Sequence, residues 1–407
     1  MTLESRKLHL LQFAPRFAAR PTGGAELRNY HLANRLSRHM AVTHLGFSLP
    51  PGSTEIPVEA GQRFVAVPRD LSYRPLELVK GLVGATPFTV LNYMRSDMVS
   101  VLEQLLRKER FDIVQLESIH LAGYLPIIRA GMGGSGVIVC DWHNIESEVL
   151  QRYGENTRSL ARRAYARHVG RKLAGFERRF VQECDMHIVV SERDRDALLQ
   201  YGSKARVVLI ENGVDTAQFG SPAEGTTGAR GKRILFVGAM DYHANIDGAV
   251  FFAREVWPHV AAKLPDAVFT IVGRSPAPAV LALAQRERIE VTGTVADVRP
   301  YYRDALVAVA PLRVGGGTRL KILEAMAAGI PMVSTSLGAE GLAAEDRRQY
   351  VVADSAEAMT TAILTLANDP ALYSRIAAAG RELVQQRYDW AILGDALAKE
   401  LFAIAPR

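Results

Sequence analysis

The feature that most constrains this chain is a succession of short, almost unbroken apolar runs separated by helical patterns. Seven fall before residue 214: LHLLQF, AVTHLGF, FVAVP, FDIVQLE, GVIVCDWHN, MHIVVSE and ARVVLIENG. Six more follow: RILFVGAM, AVFTIVGR, IEVTGTV, LVAVAPL, IPMVSTS and QYVVAD. Runs of this kind are parallel strands buried on both faces, since a half-exposed sheet would alternate polar and apolar residues. The Gly/Pro/Ser/Thr-rich stretch FGSPAEGTTGARGK (219–232) parts the two sets and reads as a linker. Two series of strand and helix predict an α/β protein with two doubly wound, Rossmann-like domains, 1–217 and 218–388, facing one another across a cleft. The amphipathic segment YDWAILGDALAKELFAI predicts a terminal helix, within 389–407, that packs back on the first domain.

The 407 residues, 48% hydrophobic, suffice for two or three cores. A net charge of +6 suits anionic ligands or an anionic surface and does not require nucleic acid, which is not expected as a partner. Cys140 and Cys184 sit in apolar contexts and read as free thiols of a reducing cytosol, which excludes a disulfide framework. MTLESRK leads directly into the first strand with no signal-peptide core, and no apolar run is long enough to span a bilayer. The expected location is cytoplasmic, at most peripheral on the inner face of the cytoplasmic membrane.

One stretch carries most of the chemistry: PLRVGGGTRLKILEAMAAGIPMVSTSLGAEGL, residues 311–342. A buried strand leads through Gly315, Gly316 and Gly317 to a helix with Thr318 as its N-cap, and Gly329 followed by Pro331 stops that helix. At 100° per residue Leu320, Leu323 and Ala327 form a core stripe, with Lys321 and Glu324 together on its flank. Free amides of a first helical turn favour an anion, and Arg319 and Lys321 add two positive charges beside them. Glu324, one turn further in, is placed to accept hydrogen bonds from ribose hydroxyls. The set describes a site for a nucleotide diphosphate.

Elsewhere the signals are sparser. In PTGGAEL, Gly23 and Gly24 let backbone amides approach an anion, or simply make a tight turn between strand and helix. His143 ends a strand at the carboxyl edge of its sheet, where ligands bind in such folds, with Asn144 and Glu146 beside it; Asn212 leaves the last strand of the first domain. Residues 152–181 carry nine Arg and Lys side chains with Glu155 and Glu177 as the only acids. Tyr165, Val169, Leu173, Phe176 and Phe180 recur there at helical spacing. This reads as a basic amphipathic helix, either a solvated cover or a surface for anionic lipid. No metal site is expected: Asp194 and Asp196 lie on a helix opened by Ser191, with their carboxylates on different sides.

GGGTRLKILEAMAAGIPMVST with GAEGL resembles the donor-binding segment of retaining glycosyltransferases of family four, which have the GT-B fold. PTGGAEL, HNIE, VSE, ENGVD and VTGTVADVRPYY fall in that family's order, and FVGAMDYHANIDGAVFF resembles its bacterial exopolysaccharide branch. The resemblance implies an acceptor-binding first domain and a nucleotide-sugar-binding second domain. It implies retaining, metal-independent transfer of a sugar, with no cofactor, to a glycan or lipid-linked acceptor in cell-surface polysaccharide synthesis. Donor contacts are then Gly23, Gly24, Gly238, Gly315, Gly316, Gly317, Thr318, Arg319, Lys321 and Glu324. Arg319 and Lys321 stabilise the leaving diphosphate, and His143 contacts the sugar or orients the acceptor. Two departures stand out. Gly316 occupies the position of a second glutamate that contacts the sugar in many members, and Gly238-Ala239-Met240 replaces a segment bearing phosphate-gripping Arg and Lys. An epimerase of sugar nucleotides with a similar fold, or a noncatalytic partner subunit, are the rival readings.

Overall fold

The computed structural model describes residues 7–17, 23–48, 62–68, 75–157, 159–202, 204–220, 231–314 and 320–406. The chain forms two compact units, the first of Met1–Glu211 with Leu393–Arg407 and the second of Asn212–Ile392.

The first unit is built on β1 (His9–Phe17), β2 (Ala41–Ser48), β3 (Gln62–Pro68), β4 (Ile113–Glu117), β5 (Val137–Trp142), β6 (Met186–Val189) and β7 (Arg206–Leu209). These form one parallel seven-stranded sheet in the order β3-β2-β1-β4-β5-β6-β7. The order reverses beside β1, whose neighbours are β2 on one side and β4 on the other. Leu11, Phe13, Leu116, Trp142 and Phe180 belong to the core against it. Cys140 and Cys184 are both buried and unbridged, and burial pushes both thiols upward. The helix Trp390–Ile404 belongs to this unit from Leu393 onward. There Arg35 Nε donates to Asp395 Oδ1 (2.6 Å), His39 Nε2 reaches the same oxygen (2.9 Å), and Leu397 and Leu401 are fully buried.

The second unit holds β8 (Arg233–Val237), β9 (Val268–Val272), β10 (Ile289–Val291), β11 (Ala305–Ala310), β12 (Met332–Ser334) and β13 (Val351–Val352), a parallel sheet ordered β10-β9-β8-β11-β12-β13. Its side chains alternate between two cores. Ile234, Phe236, Val307 and Val309 enter one, and Leu235, Ala308 and Ala310 enter the other. A sheet covered on both faces is why these strands read as unbroken apolar runs.

Two details differ from the sequence expectation. The units part at Glu211/Asn212 rather than at 217. Val214 and Thr216 pair with Asp389 through a strand-like bridge and a side-chain hydrogen bond, and this ties them to the second unit. The segment 152–181 is not one helix. The helix Glu146–Asn156 ends first, and Ser159 caps a new one, Leu160–Phe180, by accepting from the Arg162 amide. The buried stripe of the second helix is Ala166, Gly170, Leu173, Glu177 and Phe180, whereas Tyr165 is 46% exposed.

Candidate functional site

In the first unit, polar side chains collect at the carboxyl ends of β1, β4 and β5. The register pairs Glu117 with Asp141, so the chain's course after each strand decides what joins them. After β4, Ser118 holds φ at +119°, a conformation costly for a residue with a Cβ. After β5, the strand runs into His143, whose Nε2 donates to Glu117 Oε2 at 3.0 Å. Glu117 is 1% exposed, and its other oxygen accepts from Gln12 (2.7 Å) and Gln115 (2.6 Å). Asp141 accepts from one edge of the Arg28 guanidinium, Nε at 2.9 Å and a terminal nitrogen at 3.2 Å, with both side chains sealed from solvent. Arg28 also donates to the Glu211 carbonyl (2.9 Å).

Glu117, Asp141 and His143 can place one ligand atom each within 4.8 Å of one another. Their lone pairs are nevertheless committed: Glu117 to three N–H donors and Asp141 to a guanidinium. A cation entering this set would displace a positive charge already there. The arrangement instead fixes His143, whose Nε2 is held by a buried carboxylate. Sequence reasoning missed Glu117 and Asp141. A carboxylate ending an apolar strand was the available signal.

The neighbouring residues divide. Asn144 is half-buried in the loop after His143. Glu146 begins the next helix, and burial followed by repulsion from Glu177 pushes its carboxyl up to about 7. Glu177 is taken up by the Ser147 amide (3.1 Å), the Ser147 hydroxyl and Tyr201 Oη (3.3 Å), so it anchors one helix on the other instead of joining a solvated face. Asn212 lies in the second unit, partly exposed. At the start of the Gly24–Leu36 helix, the Gly23 amide donates to Glu26 Oε2 (3.4 Å). This carboxylate from the helix's own first turn already occupies the Gly23 amide. Gly23 has φ −96°, and an added Cβ would meet nothing nearer than 3.7 Å. Its backbone therefore does not demand glycine. Gly24 is the first residue of that helix.

In the second unit the helix Leu320–Ala327 follows β11. Gly315, Gly316, Gly317, Thr318 and Arg319 lie outside the described residues. Gly329 takes φ +71°, and the Ile330 and Gly329 amides return to the carbonyls of Ala325 (2.9 Å) and Met326 (3.0 Å), closing the helix as its sequence predicts. The core stripe differs from the expected one: Leu323 and Ala327 are buried, Leu320 is only half-buried, and Ile322, Ala325 and Met326 join the core. Lys321 Nζ donates to Asn245 Oδ1 (2.7 Å) and lies 4.8 Å from the Phe236 ring centre. Asn245 Nδ2 in turn donates to the Ala239 carbonyl (2.9 Å). A Cβ on Gly238 would stand 2.8 Å from that amide nitrogen, so glycine there makes room for Asn245. Glu324 Oε2 accepts from Tyr302 Oη (2.9 Å), and Tyr302 is fully buried. Burial holds the Glu324 carboxyl above its usual range, opposed by the Tyr302 hydrogen bond and the Lys321 charge. Lys321 and Glu324 therefore stand together on one flank, each positioned by a partner that the sequence pattern did not reveal.

Two doubly wound parallel sheets, each gathering its polar groups at strand carboxyl ends, define a chain of the GT-B class. The match to the family described as Glycosyltransferase Family 4 spans residues 22–218, and that to Glycosyl transferases group 1 spans 231–369; the chain belongs to these group 1, family 4 glycosyltransferases. Over 199 residues it is 32% identical to the phosphatidyl-myo-inositol mannosyltransferase of Mycolicibacterium smegmatis, covering 46% of this chain and 49% of that one. Over 164 residues it is 25% identical to an uncharacterized 44.6 kDa protein in the cps region of Klebsiella pneumoniae, covering 38% and 42%. The chain thus aligns with about half the length of these curated relatives. Sucrose-phosphate synthase of Thermosynechococcus elongatus shares the fold with a TM-score of 0.71 at 18% identity, covering 98% of this chain and 100% of that one. Anabaena HepE, solved with UDP and glucose, gives a TM-score of 0.65 at 14% identity over 97% and 99%.

Proposed function

We propose that this chain transfers a sugar from a nucleotide diphosphate sugar to a glycan or lipid-linked acceptor, retaining anomeric configuration and using no metal. The observation that carries the reading is the pair Lys321 and Glu324 on one helix flank, locked by Asn245 and Tyr302. Glu324 presents Oε1 to ribose hydroxyls while Tyr302 holds Oε2. Lys321, with Arg319 and the first-turn amides, stabilises the negative charge that develops on the diphosphate as the glycosidic bond breaks. Fixed charges serve that purpose without a metal ion. His143, held by Glu117, contacts the sugar or orients the acceptor, and the departing phosphate oxygen receives the acceptor's proton. The mannosyltransferase relative and the UDP-bound structures support a nucleotide-sugar donor.

Titration calorimetry with UDP, GDP, ADP and dTDP, with and without a divalent metal, tests the donor site. One nucleotide should bind without metal, and Glu324→Ala should abolish its binding. Absence of binding to all four would favour a noncatalytic partner subunit. Conversion of the sugar nucleotide with no acceptor present would make the chain an epimerase.

A lipid-linked acceptor implies work at a membrane surface. Among the described residues no helix is long and apolar enough to cross a bilayer. The Leu160–Phe180 helix exposes Arg162, Arg163, Arg167 and Arg171. Lys172 Nζ donates to the Gly81 carbonyl, tying this helix to Pro75–Val83, where Val79 is 57% and Val83 86% exposed. Exposed apolar side chains beside a basic helix face suit an anionic bilayer on the cytoplasmic side. Flotation with phosphatidylglycerol vesicles should recover the protein, and neutral vesicles should not.

A further inference from the structure

The donor reading leaves the loop after β8 without a cation of its own. The loop after β8, Gly238-Ala239-Met240-Asp241-Tyr242, brings no cation to the carboxyl end of the sheet's central region and carries one acid. Lys321 reaches it only from the β11 side, through Asn245 and the Ala239 carbonyl.

On the other side is the loop after β9. Its backbone is zipped to the first loop: the Gly238 amide donates to the Val272 carbonyl (3.0 Å), Met240 to Arg274 (3.0 Å), and Ala277 back to Met240 (3.0 Å). The approach is so close that a Cβ on Gly273 would stand 1.6 Å from the Gly238 carbonyl oxygen. Arg274 is thus held at a fixed place beside that loop, at the carboxyl edge where ligands of doubly wound sheets bind.

Its side chain differs from three other arginines of this unit. Arg313 grips Asp247 with two nitrogens (2.8 and 3.1 Å). Arg233 is paired with Glu290, and Arg288 donates to the carbonyls of Leu264, Pro265 and Ala261. Arg274 has no carboxylate partner among the described residues, and its Nε is shielded from solvent without a hydrogen-bond acceptor. A guanidinium in this condition is completed by a bidentate anion.

We propose that Arg274 binds the diphosphate of the nucleotide sugar, so that Lys321 and Arg274 flank the loop after β8 from opposite sides. The proposal rests on the donor reading above and adds a further cation to Lys321 and Arg319. Arg274 is then a ligand of the leaving group and belongs to the donor site together with Lys321 and Glu324.

The test uses the full-length chain and calorimetry with whichever of UDP, GDP, ADP or dTDP it binds, together with the matching monophosphate and nucleoside. Arg274→Gln should weaken the diphosphate about tenfold or more while changing nucleoside affinity less than about twofold. The dependence of binding on salt should also become shallower by about one charge. Arg274→Lys should keep part of the preference for diphosphate over nucleoside, and it serves as the probe if Arg274→Gln does not fold. Unchanged diphosphate binding by folded Arg274 variants overturns the proposal and leaves the donor reading intact. Equal losses for diphosphate and nucleoside also overturn it, assigning Arg274 to the base or to the shape of the loop. A wild-type chain that binds no nucleoside diphosphate removes both.

Discussion

Glu146 and Arg28 show how individual side chains in the first unit set its response to pH and mutation. The folded state favours protonated Glu146, whose carboxyl is raised from 4.5 to about 7 by burial and by Glu177. The stability this acid contributes when neutral is therefore intact below about pH 4.5 and is lost as pH rises through about 7. Glu146→Gln should be more stable than the wild type at pH 8 by about 1–3 kcal/mol, since a tenfold change in proton affinity is worth about 1.4 kcal/mol and partial exposure trims the total. The difference should vanish near pH 4.5 in urea titrations run across that range. Arg28 and Asp141 form a sealed ion pair. Removing one partner leaves the other charge buried, so Arg28→Met should cost about 3–5 kcal/mol in the same assay. Arg28→Met with Asp141→Leu should recover most of the loss, because the penalty belongs to the orphaned carboxylate. A double variant as unstable as the single one would contradict this account.

At the scale of elements, the helix Leu320–Ala327 ends where Gly329 adopts φ +71°. A Cβ there meets no neighbour, so Gly329→Ala isolates the backbone effect and should lower stability by about 1–2 kcal/mol in chemical denaturation. A loss well above that would implicate the packing of the following strand. Each of the thirteen strands was legible from the sequence, because the central strands, such as Ile113–Glu117 and Ala305–Ala310, are buried along their whole length and read as unbroken apolar runs, and the edge strands keep apolar residues in the same spacing. The helix stop at Gly329 was legible for a similar reason, since one residue type answers one conformational demand. Pairings across sequence distance were not legible. Glu117 meets His143 only because β4 and β5 are adjacent in parallel register, and Tyr302 meets Glu324 only because a separate helical turn precedes β11. The break at 157–159 was hidden because basic residues and helical spacing continue through it. Arg274 gave no signal, since its strand end reads like any other βα junction and only its buried Nε without an acceptor distinguishes it.

For the whole molecule, Leu393–Arg407 belongs to the unit made mostly of Met1–Glu211. Leu393, Leu397 and Leu401 are at most 6% exposed. At roughly 1.5–3 kcal/mol for each buried leucine, this segment contributes about 5–9 kcal/mol, comparable with the whole stability of a domain. Deleting residues 393–407 should therefore remove or strongly lower the calorimetric transition of the first unit while that of the second persists. A first unit that melts unchanged would show the segment to be dispensable. This arrangement also sets an order of events during translation. The first unit's sheet leaves the ribosome early, but its closing helix follows only after the whole second unit has been made. At about 5–20 residues per second that interval lasts on the order of ten to forty seconds. During it the nascent first unit has an uncovered apolar face, while the second unit, continuous in sequence, can complete its fold.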